Sequence, residues 1–132
     1  MDTKAQTYTI QQVAEATGLS VHTLRYYERI GLIHHIDRIG NTHRRYSSDD
    51  IGWITFLNGL RSTGMSIQQM LAYAELQRMG DAGAEARLKM LKTHREAVER
   101  HMSELQTYLD SICFKIDRYE EMVEQQRLLN TG

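Results

Sequence analysis

Residues 18–29 read GLSVHTLRYYER, and the fold of this stretch organises the rest of the chain. Gly18 can take the left-handed conformation that closes a preceding helix. Ser20 is placed to accept a hydrogen bond from the free N–H groups of a new helix. Val21 and Leu24 fall three apart on one face and pin that helix to a core. His22, Thr23, Arg25, Tyr26 and Arg29 are left on other faces, with Ser20 at the leading end. Hydroxyl, imidazole and guanidinium groups so arranged suit phosphates and base edges. The stretch reads as the recognition helix of a helix-turn-helix, running from about Val21 to Ile30 with Gly31 as its stop.

Upstream, Thr9 and Gln12 make a capping-box pattern, and Ile10, Val13 and Ala14 form the buried stripe of a first short helix. Downstream lies LIHHIDRIGNTHRRY, residues 32–46. Its Gly40-Asn41 turn signal predicts a β-hairpin wing, with Ile36, Ile39 and Tyr46 facing inward. The wing would carry Arg38, Arg44 and Arg45 to the backbone beside the groove. Ser47 or Ser48 then caps a third helix striped by Ile51, Ile54, Leu57 and Leu60, with Trp53 and Phe56 adding bulk to the core. Gly64 ends it. Ser66 and Gln69 open a fourth helix with Ile67, Met70, Leu71 and Ala74 inward. The two glycines of MGDAGA, residues 79–84, mark a flexible joint.

Beyond the joint comes the clearest periodicity in the chain. Leu88, Leu91, Arg95, Val98, Met102, Leu105, Leu109, Ile112, Ile116, Tyr119 and Val123 alternate spacings of three and four without a break. Only Arg95 interrupts an apolar or aromatic series, the pattern of a coiled-coil seam. At about 1.5 Å per residue, residues 84–123 make a rod of about 60 Å. One such helix leaves its seam wet, so the seam needs a partner, and a second copy is the simplest.

Composition narrows the class further. A chain of 132 residues holds one ordinary domain, or a small domain plus an extended element. Nothing is apolar for long enough to span a membrane, and the N-terminus lacks the pattern of a secretory signal. A single cysteine, Cys113, excludes an intramolecular disulfide and suits a reducing cytoplasm. Net charge is −1, against indiscriminate nucleic-acid binding, yet five Arg and four His lie between His22 and Tyr46 against Glu28 and Asp37. A basic stripe on and after a recognition helix is what a specific DNA module needs. No Gly-rich phosphate loop, nucleophile elbow or HExxH is present, which disfavours an enzyme.

These residues resemble the MerR family of transcription regulators. The resemblance is carried by YTIQQVAEATGLSVHTLRYYERIGLI, by RRYSSDDI, and by the W and FLNGLRSTGMSI that follow, about residues 8–78 in detail. It implies a mainly α fold, a winged helix-turn-helix head and an antiparallel coiled coil joining two heads. With the joint and seam above, the chain divides into the head (8–78), a hinge (79–83), the coiled-coil dimerisation helix (84–123) and a frayed tail (124–132). It also implies a homodimer on double-stranded promoter DNA. The dimer would bend and untwist a spacer that is too long, acting on RNA polymerase only through the promoter. Thr23, Arg25 and Tyr26 would contact DNA from the helix, Arg44, Arg45 and Tyr46 from the wing, and Arg61 a phosphate. Tyr27 is expected to be the buried one of the tyrosine pair.

LRSTGMSI and YLDSICFKIDRYEE further resemble the aldehyde- and electrophile-responsive subgroup, a stress-response role. That subgroup often has a cysteine in the third helix; Gly59 stands there in this chain. Cys113 is then either the sensor or a small apolar filler flanking the seam. The cysteines of metal- and redox-sensing members are missing, and His94 with His101 do not complete a metal site, so neither a metal nor another cofactor is expected. The competing readings are an effector-independent DNA-architectural protein, a regulator sensing a non-thiol ligand, and a coiled-coil adaptor that does not bind DNA.

Overall fold

The computed structural model describes residues 6–34 and 45–131. Among these residues five α-helices follow one another: α1 (Ile10–Thr17), α2 (Val21–Arg29), α3 (Ser48–Ser62), α4 (Ile67–Arg78) and α5 (Ala84–Thr131), with a 3-10 turn at Gly80–Gly83. They fall into two units divided after Met90. Each of the first four helices starts where a side chain satisfies its free N–H groups. Thr9, Ser47 and Ser66 make capping boxes with Gln12, Asp50 and Gln69, and Ser20 accepts from the Thr23 N–H. Between the two candidate serines Ser47 is the cap, because Asp50 returns a bond to its N–H at 2.8 Å. Gly18, at φ 78°, closes α1 in the left-handed region.

The core of the first unit is built from Val13, Leu24, Leu32, Ile33, Tyr46, Ile54, Leu57 and Met70, all fully buried. Polar bonds tie the segment after α2 to α3 and α4. The Trp53 indole N–H donates to the Leu32 carbonyl at 3.1 Å, and Arg78 donates to the Gly31 carbonyl at 2.6 Å. Asn58 donates to the Thr17 carbonyl at 3.4 Å, holding the end of α1. Carbonyls at helix ends have no partner within the helix, so such side chains give them one and orient the helix as they do so.

Phe56 departs from expectation. It is 40% exposed and joins half-buried Trp53 and buried Tyr73 in an aromatic cluster that reaches the surface, its ring centroid 6.3 Å and 5.7 Å from theirs. Ile54 and Leu57 occupy the inward positions of α3, and a residue between them is turned about 100° away from a neighbour. The joint also differs from a flexible linker. Arg87 bonds the Gly80 carbonyl at 2.6 Å and Gln77 Oε1 at 2.7 Å. Gly83 sits so close to α4 that a Cβ there would lie 2.2 Å from the Leu76 carbonyl oxygen. Gly83→Ala is therefore expected to destabilise the first unit by about 1–3 kcal/mol through overpacking, read as a lower urea midpoint.

Helix α5 continues through residues 124–131, where the seam has ended and a frayed tail is expected. None of its side chains is buried; Leu109, in the middle of the seam, is 50% exposed. No helix among the described residues is long and apolar enough to cross a membrane. The turn of the expected wing, with Ile36, Arg38, Ile39 and Arg44, lies outside the described residues. Its return is described: Tyr46 pairs with Tyr8 in an isolated antiparallel bridge, with N–H to carbonyl distances of 2.8 and 2.9 Å.

Candidate nucleic-acid interface

Helix α2 divides its side chains cleanly. Leu24 and Tyr27 are buried, and Val21 and Glu28 are half-buried beside them. His22, Arg25, Tyr26 and Arg29 are exposed, and their spacing of i, i+3, i+4 and i+7 makes one stripe along the opposite face. Arg25 enters no hydrogen bond or ion pair among the described residues, so its guanidinium is available to an anion. Arg29 lies over the Tyr26 ring at 5.6 Å, a cation–π contact that orders both side chains. At the leading end the Ser20 hydroxyl donates to Thr23 Oγ1 at 3.0 Å while accepting from the Thr23 N–H. Both hydroxyls are thereby used partly to start the helix.

Tyr27 is the buried member of its pair, as expected, 6.0 Å from Tyr26 between ring centroids. Burial pushes its phenol above the ordinary value of 10.0, the Arg61 charge pulls it back in part, and Tyr26 adds to the rise. The unfolded chain thus loses this proton at lower pH than the native state does. Stability from Tyr27 is complete below pH 10.0 and declines as pH rises from there through the native value. Tyr27→Phe should flatten that alkaline decline in the urea-unfolding free energy; an unchanged slope would show the phenol to be indifferent to folding.

Among the residues beyond the helix, Tyr46 corrects the assignment drawn from resemblance. It is fully buried, and its hydroxyl donates to Glu28 Oε2, so the ring belongs to the core and not to a DNA-facing surface. The inward position that the hairpin pattern predicts for it is the one it takes. Arg45 is half-buried and spends its guanidinium on Thr7, with Nε 3.0 Å from Oγ1 and Nη2 3.4 Å from the carbonyl. Arg61 is exposed and reaches the Met65 carbonyl at 3.4 Å. Arg38 and Arg44 lie outside the described residues. The positioning roles of Glu28, Trp53, Asn58 and Arg78 had no signal in the sequence, because each acts on a residue far along the chain.

On α5 the seam residues and Cys113 are exposed or half-exposed, and the thiol is free. Among the described residues no group of three or more His, Cys, Asp or Glu could hold a metal.

Two family models match the chain: MerR HTH family regulatory protein over residues 8–75, and MerR, DNA binding over residues 52–112. An HTH-type transcriptional regulator of Haemophilus influenzae is 34% identical over 115 residues, 87% of this chain and 85% of that protein. The HTH-type transcriptional regulator AdhR of Bacillus subtilis is 42% identical over 87 residues, 66% of this chain and 62% of AdhR. Among solved structures, HiNmlR, a MerR family regulator lacking the sensor domain and bound to promoter DNA, superposes with a TM-score of 0.75 at 35% identity, covering 80% of each chain.

Proposed function

Because the chain belongs to the MerR family of helix-turn-helix regulatory proteins, we propose that it works as a homodimer that grips a pseudo-palindromic promoter spacer and distorts it to switch transcription. The chain is a DNA-binding transcription regulator and not an enzyme. In this reading residues 8–78 are the reading head, 79–83 the joint, and the helix beyond it joins two copies. Helix α2 lays His22, Arg25, Tyr26 and Arg29 in the major groove, with Ser20 and Thr23 at its entry. Arg61, Arg38 and Arg44 take phosphates, while Arg45 and Tyr46 anchor the base of the wing.

The observation that carries the reading is two unfilled surfaces on one chain: the basic, aromatic stripe of α2 and an apolar seam on α5 that buries nothing. Deforming a site of this length costs about 1–6 kcal/mol, which several arginine–phosphate contacts offset. The untwisted spacer would then present its promoter elements to RNA polymerase in register. As signal we assign a small electrophile such as an aldehyde, acting on Cys113, the chain's one thiol and an exposed one.

Footprinting on the candidate promoter, with and without aldehyde, tests this reading in the wild type and in Cys113→Ser. Protection of two half-sites, with distortion at the spacer centre that appears with the compound and is lost in the variant, is the expected result. Distortion independent of the compound would make the protein architectural. A normal response in Cys113→Ser would remove the thiol from the mechanism, and no protection at all would end the homodimer model.

A further inference from the structure

Along the exposed seam of α5 lie two open grooves. One is lined by Met102, Leu105, Gln106, Tyr108, Leu109 and Ile112. The other is lined by Ile116, Tyr119, Glu120, Val123, Glu124 and Arg127. Arg95 is the one charged residue in the seam, and Tyr119 the one seam aromatic. They are equally far from residue 107, twelve positions to either side.

Given the antiparallel α5 pairing that the family resemblance implies, we propose that the two copies dock in a single register, with Arg95 of each chain on the partner's Tyr119, and that polar contacts select this register. The pairing rests on the homodimer read above and says which homodimer it is. In an antiparallel pair, the two seam positions of each heptad alternate across the interface. Centred on residue 107, the seam pairs Leu105 with the partner's Leu109, Met102 with the partner's Ile112, Val98 with the partner's Ile116, and Leu91 with the partner's Val123. Sliding by one heptad keeps apolar residues against apolar residues along most of the seam. Apolar burial therefore distinguishes the registers poorly, and polar groups must do so.

They do so consistently. In the centred register Arg95 stacks on the partner's Tyr119, as guanidinium groups do on aromatic faces. In the positions flanking the seam, Lys92 meets the partner's Glu120 and Glu85 meets the partner's Arg127, each twice by symmetry. A slip of one heptad in one direction buries Arg95 against the partner's Ile112 and sets Glu85 against the partner's Glu120. A slip in the other direction sets Lys92 against the partner's Arg127 and Glu99 against the partner's Glu120. A parallel, in-register pair stacks the two copies of Arg95 on each other. Of these three antiparallel registers, only the centred one places opposite charges together and leaves no seam charge on an aliphatic residue.

The register matters to DNA. One heptad of slip moves one helix past the other by about 10 Å, roughly three base-pair steps. Residues setting the register thus set the half-site spacing that the dimer demands.

The test uses the full chain with Met102→Cys and Ile112→Cys in a Cys113→Ser background, leaving Arg95 and Tyr119 untouched. Thiols at 102 and 112 of one helix are about 15 Å apart and cannot join, so any link between these positions is between chains. Mild oxidation and peptide mapping should give the 102–112 link as the main product. A 102–102 link, or no link in a chain that sediments as a dimer, overturns the register while leaving the homodimer standing. A monomer in sedimentation of the unmodified protein overturns both. Adding Arg95→Leu should leave the dimer intact and lose most of the 102–112 link to other registers. It should also reduce discrimination among operators whose spacers differ by three base pairs. An unchanged link in that variant would remove Arg95 from the selection.

Discussion

Leu109→Glu is expected to turn the protein into a monomer and to lower its affinity for a two-half-site operator by at least about 100-fold. In the single chain Leu109 is half exposed at the middle of α5, so a glutamate there costs the isolated helix little. In the homodimer proposed above the same position is covered twice by symmetry, and an unpaired carboxylate taken out of water is strongly unfavourable. The two readouts separate the steps: sedimentation reports the mass, and fluorescence anisotropy on whole and half operators reports the affinity. Half-site binding should barely change, because α2 belongs to the other unit. A variant that remains dimeric would exclude the seam as the interface, whatever its DNA binding.

The second large effect is expected at Arg25. Arg25→Ala should cost about 1–3 kcal/mol for each head, hence at least about 30-fold for a dimer gripping two half-sites. The head itself should be no less stable, since this guanidinium has no hydrogen-bond or ion-pair partner among the described residues. Binding measured across single-base operator variants distinguishes the role. A base-reading arginine loses discrimination at one position of each half-site, whereas a phosphate-binding one weakens all sequences alike and lowers the salt slope by about one per head. Unchanged affinity would take the α2 stripe out of the interface. Urea unfolding run in parallel guards against a folding defect posing as a binding one.

Much of this molecule can be read from short-range spacing. The capping residues Thr9, Ser20 and Ser66, the left-handed Gly18, the inward Leu24 and Tyr27, and the unbroken threes and fours of α5 all depend on neighbours within a turn or two. Local backbone chemistry and helical geometry settle such features wherever they occur, so order, class and family were legible in the chain. Burial and partnership across long separations were not. Tyr46 goes inward because Glu28, eighteen residues earlier, takes its hydroxyl and Tyr8 pairs with its backbone. Arg45 is drawn to Thr7, and Phe56 gives way to Ile54 and Leu57 in the core. Gly83 closes the supposed hinge by touching the Leu76 carbonyl, which no local pattern announces. Which arginines stay free for DNA was thus decided when distant segments packed together, because a side chain's availability depends on what else reaches the same place in space.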